Sequence, residues 1–222
     1  MRLRVVFLYV LFGLMAGSLF AVGDLTGSIK TSAKIHSSPI VRYRIDASQS
    51  KFMVHASRGG LAYFKGHNHE IAVRDFSGEA SLNLDLINPA TLSMAIRADS
   101  LEETSEVFTP QQKAIIKKEL QEIVLETAKY PEITFKSTDV QGKINNGQFD
   151  VKIGGDMTLH GVTKHIVISS RVSVSGDTLR AQGEFTINRR DFNVKATSAF
   201  HGLVRVKDKL KFTFDIVAQR VS

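Results

Sequence analysis

The sequence contains no cysteine among its 222 residues. This absence excludes a disulfide framework, a zinc site built on thiolates and a cysteine nucleophile. It also excludes a lipoprotein anchor, because the lipid of such an anchor is carried on a cysteine. The folded protein therefore has to be stabilised by its core alone, and the chain is long enough to bury one sizeable core.

Tryptophan is absent as well, and the chain has no run of Lys and Arg although its formal net charge is +7. A nucleic-acid-binding surface would combine a basic stripe with interleaved aromatic residues. Since the basic residues are scattered here, we expect no nucleic-acid partner. A Gly-x-Ser-x-Gly elbow, a P-loop and a dinucleotide fingerprint are also missing from the sequence. We therefore expect the protein not to be an enzyme.

The first 23 residues have the pattern of a secretory signal peptide. "MRLR" is a short positive region, and the apolar stretch after it is short for a membrane span. Ala21 and Gly23 are small residues of the kind that precede a cleavage site, so we place cleavage after Gly23, with Ala21 as the second choice. An uncleaved membrane anchor is the alternative. Residues 24–40 are rich in Ser, Thr and Gly and are predicted to form a flexible leader.

From Val41 onward, apolar and polar residues alternate. In "TLSMAIRA", for example, Leu92, Met94 and Ile96 share one face of an extended chain. Turn signals separate the alternating runs, and "INNGQ" (residues 144–148) predicts a tight hairpin. Many antiparallel strands with one apolar face indicate an all-β barrel or sandwich, formed by one domain at residues 41–222.

One segment in the middle of the chain has helical instead of strand spacing. Thr109 is the expected N-cap, Pro110 occupies the first helical position, and Gln112 completes a capping box. Pro131 ends the pattern. The segment predicts one amphipathic helix of about five turns, residues 110–129, packed over one mouth of the barrel.

Four segments resemble a known family in order and spacing. They are "YRIDASQSKFMVHA" (43–56), "YPEITFKSTDV" (130–140), "GDMTLHGVTKHIVI" (155–168) and "FTINRRDFNV" (185–194). Together they are similar to the YceI-like family of lipid- or polyisoprenoid-binding proteins, and the likeness runs over most of residues 41–221. The pairing of the "TLHGVT" turn with the upstream "YPEITFKS" strand is more specific than either segment alone.

The resemblance implies an extended, lipocalin-like antiparallel barrel of eight strands that holds an isoprenoid tail. Members are exported bacterial proteins, so we expect a periplasmic carrier or store that needs no cofactor beyond its bound isoprenoid lipid or quinone. Some members are encoded beside a membrane b-type cytochrome, which makes such a cytochrome a candidate partner. Monomer and homodimer both remain open. A subset of the family carries a Gly-His-x-His turn, and residues 66–69 of this chain resemble it.

A barrel of about eight strands is wide enough to hold one slim ligand. An isoprenoid tail needs apolar surface, worth about 25 cal/mol per Å² buried. The alternative is that the same side chains form a solid core, in a protein whose helix docks to a membrane partner. The candidate lining residues are Phe52, Val54, Ala56, Leu82, Leu84, Met94, Ile96, Phe135, Met157, Leu159, Ile166, Ile168, Ala181, Phe185, Phe212 and Phe214.

Four basic residues are candidates for contact with a phosphate or quinone head group. Arg189 and Arg190 stand together in "NRRDF", Arg58 precedes two glycines, and Lys164 follows "GVT". Guanidinium and ammonium groups donate charge-assisted hydrogen bonds to such oxygens. A solvated loop position is the alternative for each of them.

The stretch "FKGHNHEI" places His67 and His69 two residues apart, where an extended chain points both to one side. Such a pair can hold a transition metal, and the protein would then be a redox accessory or an enzyme. A metal site needs a third and usually a fourth ligand. The available candidates are His55, Glu70, His160, His165 and His201. We expect instead that His67 and His69 bond to backbone groups in a polar corner at the barrel mouth.

The amino-terminal pattern yields the first testable prediction. We expect the exported protein to be soluble and to begin at Asp24, because signal peptidase cleaves after a small-x-small pair. Amino-terminal sequencing of protein recovered from the periplasm measures this directly. Recovery of the chain with Met1 intact would contradict it.

Overall fold

The structure is a computed structural model that describes residues 39–60, 63–196, 198–199 and 204–221. The predicted signal peptide and nearly all of the predicted leader lie outside the described residues. The described residues form one sheet of 11 strands. The strands are β1 (Ile40–Gly59), β2 (His69–Val73), β3 (Phe76–Asn83), β4 (Ile87–Arg97), β5 (Leu101–Glu103), β6 (Glu132–Asn145), β7 (Gln148–Leu159), β8 (Val162–Ser175), β9 (Thr178–Asn188), β10 (Ser198–Ala199) and β11 (Val204–Arg220).

Eight of these strands close into a barrel. The order around the wall is β1, β3, β4, β6, β7, β8, β9 and β11, and β11 pairs back onto β1. Every pairing is antiparallel. The prediction of an all-β, antiparallel, lipocalin-like barrel of about eight strands is confirmed. Two short strands extend the wall beyond β1, because β2 pairs with β1 and β5 pairs with β2.

Strand β1 changes neighbours halfway along its length. Residues 40–44 pair with β3, and residues 53–56 pair with β2. Between these two parts, the register against β11 shifts between Asp46 and Lys51. The Ser50 hydroxyl donates to the Asp46 carbonyl at 2.6 Å, which holds the extra residues in a tight bulge. We call the barrel end beside β2 the upper end and the end beside residues 40–44 the lower end.

The predicted hairpin at residues 144–148 is confirmed. Asn145 pairs with Gln148, which leaves two turn residues. Both of them have positive φ, 49° at Asn146 and 74° at Gly147. That combination is typical of a type I′ turn, whose twist matches the twist of the flanking strands.

The strand that contains the candidate lining residue Leu82 ends before the next candidate, Leu84. Strand β3 ends at Asn83, whose side-chain oxygen accepts hydrogen bonds from the backbone N–H groups of Asp85 and Leu86 at 2.9 and 3.1 Å. This local turn competes with continued strand pairing. Leu86 is consequently exposed in the turn instead of facing the barrel interior.

The helix α1 (Pro110–Glu119) begins as predicted. Gln112 N–H donates to the Thr109 hydroxyl, and Thr109 N–H donates to the Gln112 side chain, so the capping box is confirmed. The predicted extension to residue 129 is wrong. A π-helical turn follows at Leu120–Val124, and the segment then turns at Glu126, whose φ is 47°.

We call residues 110–125 the lid. Three side chains attach it to the loop and strand that lie below it. Lys117 pairs with Glu102 of β5 at 3.0 Å, Lys113 donates to the carbonyl of Thr104, and Gln121 donates to the carbonyl of Asp99. Among the helices of the described residues, none is long and apolar enough to cross a membrane.

The capping box yields the second prediction. We expect Thr109→Ala to destabilise α1 by about 0.5–2 kcal/mol, because the N–H of Gln112 loses its acceptor. Hydrogen exchange of the α1 amides should accelerate accordingly, while exchange of the barrel amides stays unchanged. Gln111→Ala is the control, since Gln111 is exposed in the same first turn and has no capping role. Equal acceleration in both variants would contradict the prediction.

Candidate functional site

The barrel interior contains two cavities of about 140 Å³ each. The lower cavity lies between the barrel strands, and no charged side chain is present among the described residues that line it. Eight of the predicted lining residues line this cavity alone. They are Leu82, Met94, Phe135, Ile166, Ile168, Ala181, Phe185 and Phe214.

Further apolar residues of the lower cavity were not among the sequence-based candidates. Those on β7, β8, β9 and β11 follow the same period-two alternation as the predicted residues of these strands, so that part of the signal was present in the sequence. The further residues include Ile87, Phe149, Val151, Ile153, Val172, Leu179, Ile216 and Ala218. The lower cavity is therefore lined by side chains from all eight barrel strands.

The upper cavity lies between the barrel mouth and the lid. Val54, Ala56, Leu159 and Phe212, all predicted from the sequence, line it from the barrel. The lid contributes four apolar side chains, three of them at helical spacing and the fourth from the last residue of the lid. They are Ile116, Leu120, Val124 and Leu125. The predicted position of the helix over one mouth of the barrel agrees with this arrangement.

Four residues line both cavities, and we call them the waist. They come from four different strands, and they are Phe52, Ile96, Ile133 and Met157. All four are buried. The Phe52 ring meets the Phe76 ring edge-on at 6.0 Å, which limits how far it can turn. A ligand that occupies both cavities has to pass these four side chains.

Leu84 is the predicted lining residue that lines neither cavity. It lies in the turn after β3, where the Asn83 side chain has already ended the strand. Leu84 is partly buried against the lower core residues, so its contact with a lipid also stays a prediction. The other 15 candidates line a cavity, and their contact with a lipid stays a prediction.

The upper cavity differs from the lower one because polar side chains reach it. Its lining includes His69, Glu119, Arg189 and Lys195. Arg189 is one of the four residues predicted to contact a head group. The other three do not line either cavity.

The three remaining candidates bond elsewhere or face solvent. Arg58 donates to the carbonyl of Gly66 at 2.9 Å. Lys164 is exposed on β8, and Arg190 is exposed and pairs with Asp208 at 2.9 Å. Arg189 and Arg190 were both predicted to contact a head group, but in the structure only Arg189 lines a cavity.

Arg189 is a buried cation with one free donor. Its Nη1 donates to the carbonyl of Val194 at 2.8 Å, and its Nη2 pairs with Asp208 at 2.7 Å. Its Nε is shielded from solvent and has no hydrogen-bond partner in the described part of the chain. A buried donor without a partner costs about 1–3 kcal/mol.

His69 is held by a buried carboxylate. Its Nδ1 lies 2.8 Å from Oε2 of Glu103, whose side chain is fully buried. The other carboxylate oxygen of Glu103 accepts from the N–H groups of Glu70 and Ser105 at 3.2 and 2.8 Å. Phe108 stacks on the His69 ring with 5.1 Å between the ring centres.

The hydrogen bonds decide the charge of Glu103. Burial raises the pKa of its carboxyl group, but the bonds from His69, Ser105 and Glu70 together outweigh burial and leave this pKa lowered. Glu103 is therefore ionised at neutral pH. Sequence reasoning missed it because it lies 34 residues from His69, and only the pairing of β2 with β5 brings them together.

The histidine pair does not form a metal centre within the described residues, where no group of three potential ligands lies together. His67 is exposed and meets the edge of Phe108, while His69 bonds to Glu103. The expectation that both bond to backbone groups is thus wrong for His69. His201 lies outside the described residues. The three remaining histidine candidates contact different partners: His55 contacts Thr213, His160 contacts Glu126 and His165 contacts Asp156.

Glu103 yields the third prediction. A lowered pKa stabilises the fold above the unfolded value of about 4.3, and this stabilisation is lost as the pH falls through the folded value. We expect Glu103→Gln to cost about 1.5–3 kcal/mol at pH 7, because three donors lose a charged acceptor. The difference from wild type should shrink below about pH 4.

Chemical denaturation between pH 7 and pH 3 measures this difference. Glu70→Gln, which changes an exposed neighbouring carboxylate, is the control and should cost little at any pH. A Glu103→Gln deficit that stays constant down to pH 3 would contradict the lowered pKa.

The fold of this chain is shared with several solved structures. Burkholderia cenocepacia BcnA superposes with a TM-score of 0.63 at 18% identity and covers 79% of this chain and 99% of its own. A domain from Saccharophagus degradans, described as a polyisoprenoid binding domain implicated in plant cell wall breakdown, superposes with a TM-score of 0.56 at 14% identity, over 81% and 98% of the two chains. At these identities the likeness shows the fold alone.

Sequence relatives extend the comparison. Protein YceI of Escherichia coli is 42% identical over 77 residues, which cover 32% of this chain and 38% of that protein. A UPF0312 protein of Vibrio cholerae is 33% identical over 146 residues, 63% of this chain and 69% of its own length. The profile of the YceI-like domain matches residues 43–218. The chain therefore belongs to the YceI-like domain family.

Proposed function

We propose that this protein binds a long isoprenoid chain inside its barrel and carries or stores it without chemical change. The observation that carries the proposal is the uncharged lining of the lower cavity, four residues of which also line the upper cavity. An isoprenoid tail offers only methyl groups and double bonds. Its binding free energy therefore comes from burying apolar surface, at about 25 cal/mol per Å².

The few hydroxyl groups along the lower cavity do not favour a polar ligand. Ser81 and Thr91 lie within hydrogen-bond distance of each other at 2.7 Å, and the Ser170 hydroxyl donates to the carbonyl of Gln182 at 3.1 Å. Ser81, Thr91 and Ser170 therefore already have partners, so a polar ligand would gain little from these three hydroxyl groups. A flexible hydrocarbon chain suits the lining better.

Chemistry on the ligand is disfavoured by the same lining. Among the described residues, no titratable side chain lines the lower cavity. General acid–base or nucleophilic catalysis needs such groups within hydrogen-bond reach of the reacting atoms. We therefore propose a binding protein, not an enzyme.

The comparisons add support from outside the chain. The Saccharophagus degradans domain is described as polyisoprenoid binding and shares the barrel at a TM-score of 0.56. Location in the periplasm rests on the amino-terminal pattern, and a b-type cytochrome partner or a bound quinone rests on the family resemblance. The alternative of a solid core that serves only as a docking scaffold is disfavoured by the two cavities.

Ala181 yields the fourth prediction. It lines the lower cavity, and its strand pairs with β8 and β11 without a register shift, so its side chain faces inward. In a solid core, Ala181→Phe would overpack and destabilise by about 1–3 kcal/mol. In a lipid tunnel the new ring occupies space that the ligand would fill, so the lipid-free protein should unfold within a few tenths of a kcal/mol of wild type.

Two measurements test this together: thermal unfolding of the delipidated protein, and mass spectrometry of lipid that co-purifies from the periplasm. We expect wild-type stability and loss of the isoprenoid in Ala181→Phe. Thr186→Phe on the same strand is the control, because Thr186 is exposed and lines neither cavity. It should keep the lipid. A large fall in stability for Ala181→Phe, with no lipid in the wild type, would refute the proposal.

A further inference from the structure

Three cations lie in a row on the outer face of β11, at the upper end of the barrel. Arg205, Lys207 and Lys209 are all exposed. They alternate with Val206 and Leu210, which line the upper cavity, so the three cations point away from the interior. Alternate residues of a strand lie about 6.6 Å apart, which makes the row about 13 Å long. None of the three has an ion-pair partner within the described part of the chain.

The strand positions beside this row are uncharged. Asn188 of β9, Ser198 of β10 and Gly59 of β1 pair with residues of the row. The next cation along the same face of β11, Lys211, differs because it pairs with Glu184 at 2.7 Å. The row therefore keeps an excess of positive charge that its neighbours in the sheet do not offset.

Exposed apolar side chains lie at the same end of the barrel. Phe64 is 66% exposed in the short 3-10 turn Tyr63–Lys65, and this turn contacts β11. Val107 is 57% exposed beside Phe108, whose ring meets the edge of the His67 ring. An aromatic ring among cations is typical of surfaces that bind a bilayer, because the ring enters the apolar boundary of the head-group layer while the cations meet lipid phosphates.

The row of cations and the apolar side chains together suit the surface of a bilayer. We infer that the upper end of the barrel docks on a membrane that contains anionic lipids. The docking face consists of Phe64, Val107, Arg205, Lys207 and Lys209. Each Lys or Arg close to such a surface strengthens binding about five-fold, so three of them contribute about 100-fold. The inference goes beyond the proposed function and does not depend on which ligand the cavities hold.

The lower end of the barrel is less suited to such a surface. It also exposes apolar side chains, and Leu86 in the turn after β3 is 74% exposed. However, Arg171 pairs with Asp150 at 3.3 Å, and Arg220 pairs with Asp177 at 3.7 Å. These ion pairs offset positive charge at the lower end, so charge complementarity favours the upper end.

Binding of the exported, delipidated protein to vesicles tests the inference. One set of vesicles contains phosphatidylglycerol mixed with phosphatidylcholine, the other contains phosphatidylcholine alone, and neither contains an isoprenoid lipid. We expect about 100-fold tighter binding to the anionic vesicles at low ionic strength. Added salt should reduce this preference, because the screening length shortens from about 30 Å at 0.01 M to about 3 Å at 1 M.

Neutralised lysines locate the electrostatic contribution. Lys207→Gln combined with Lys209→Gln should weaken binding to the anionic vesicles by about 30-fold, the factor that two cations contribute. Lys143→Gln combined with Lys152→Gln is the matched control. These two lysines are equally exposed and have no ion pair among the described residues, but they lie on β6 and β7. The control should bind like the wild type.

A fluorescent reporter identifies the end that meets the bilayer. The chain contains no tryptophan, so a single introduced tryptophan is observed without background. We expect the emission of Phe64→Trp to shift to shorter wavelength on anionic vesicles, because the indole ring leaves water. Leu86→Trp at the lower end is the control, and its emission should stay as it is in buffer.

Several outcomes would overturn the inference. If the wild type bound neither vesicle, or bound both equally, the partner would not be an anionic membrane, and an acidic protein would become the candidate. Equal losses in the two lysine pairs would overturn the assignment to β11. A shift for Leu86→Trp without one for Phe64→Trp would place docking at the lower end. Because these measurements use no isoprenoid, their failure leaves the proposed function standing.

Discussion

The pairing of the first barrel strand with the last one governs the rest of the molecule. Strands β1 and β11 pair from Tyr43 opposite Arg220 to Gly59 opposite Arg205, which spans nearly the whole barrel. This closure satisfies the backbone groups that would otherwise form two open sheet edges. It also turns the apolar faces of eight strands toward one another. Without it there would be a curved sheet with an exposed apolar face and no enclosed cavity.

Closure by itself would produce a uniform apolar tunnel, but the upper end also carries polar side chains. The register shift between Asp46 and Lys51 lets one strand pair with β3 below and with β2 above. Strands β2 and β5 then bring His69 and Glu103 together. The lid completes this end. His69 thus reaches the upper cavity through β2, whereas Glu119 comes from the lid, and Arg189 and Lys195 come from the segment after β9.

Local patterns predicted much of this architecture. Alternation identified the inward faces of the strands, because successive side chains in an extended chain point to opposite sides. The capping box at Thr109 and the turn at Asn146 and Gly147 were equally readable, since each depends on residues close in sequence. The differences between prediction and structure also have local causes. Leu84 follows an Asn83 turn that ends the strand, and the π-helical turn at Leu120–Val124 ends the helix earlier than Pro131 does.

The sequence by itself determined the inward faces of most strands, the start of the helix and the apolar character of the interior, because these depend on periodicity and on contacts within a few residues. The tertiary structure alone decided which polar groups reach the cavities. Arg189 and Arg190 are adjacent and chemically identical, yet only Arg189 lines the upper cavity. Likewise His69 is held by a glutamate 34 residues away. Such placements depend on the register between strands that are distant in the chain, and no local pattern encodes that register.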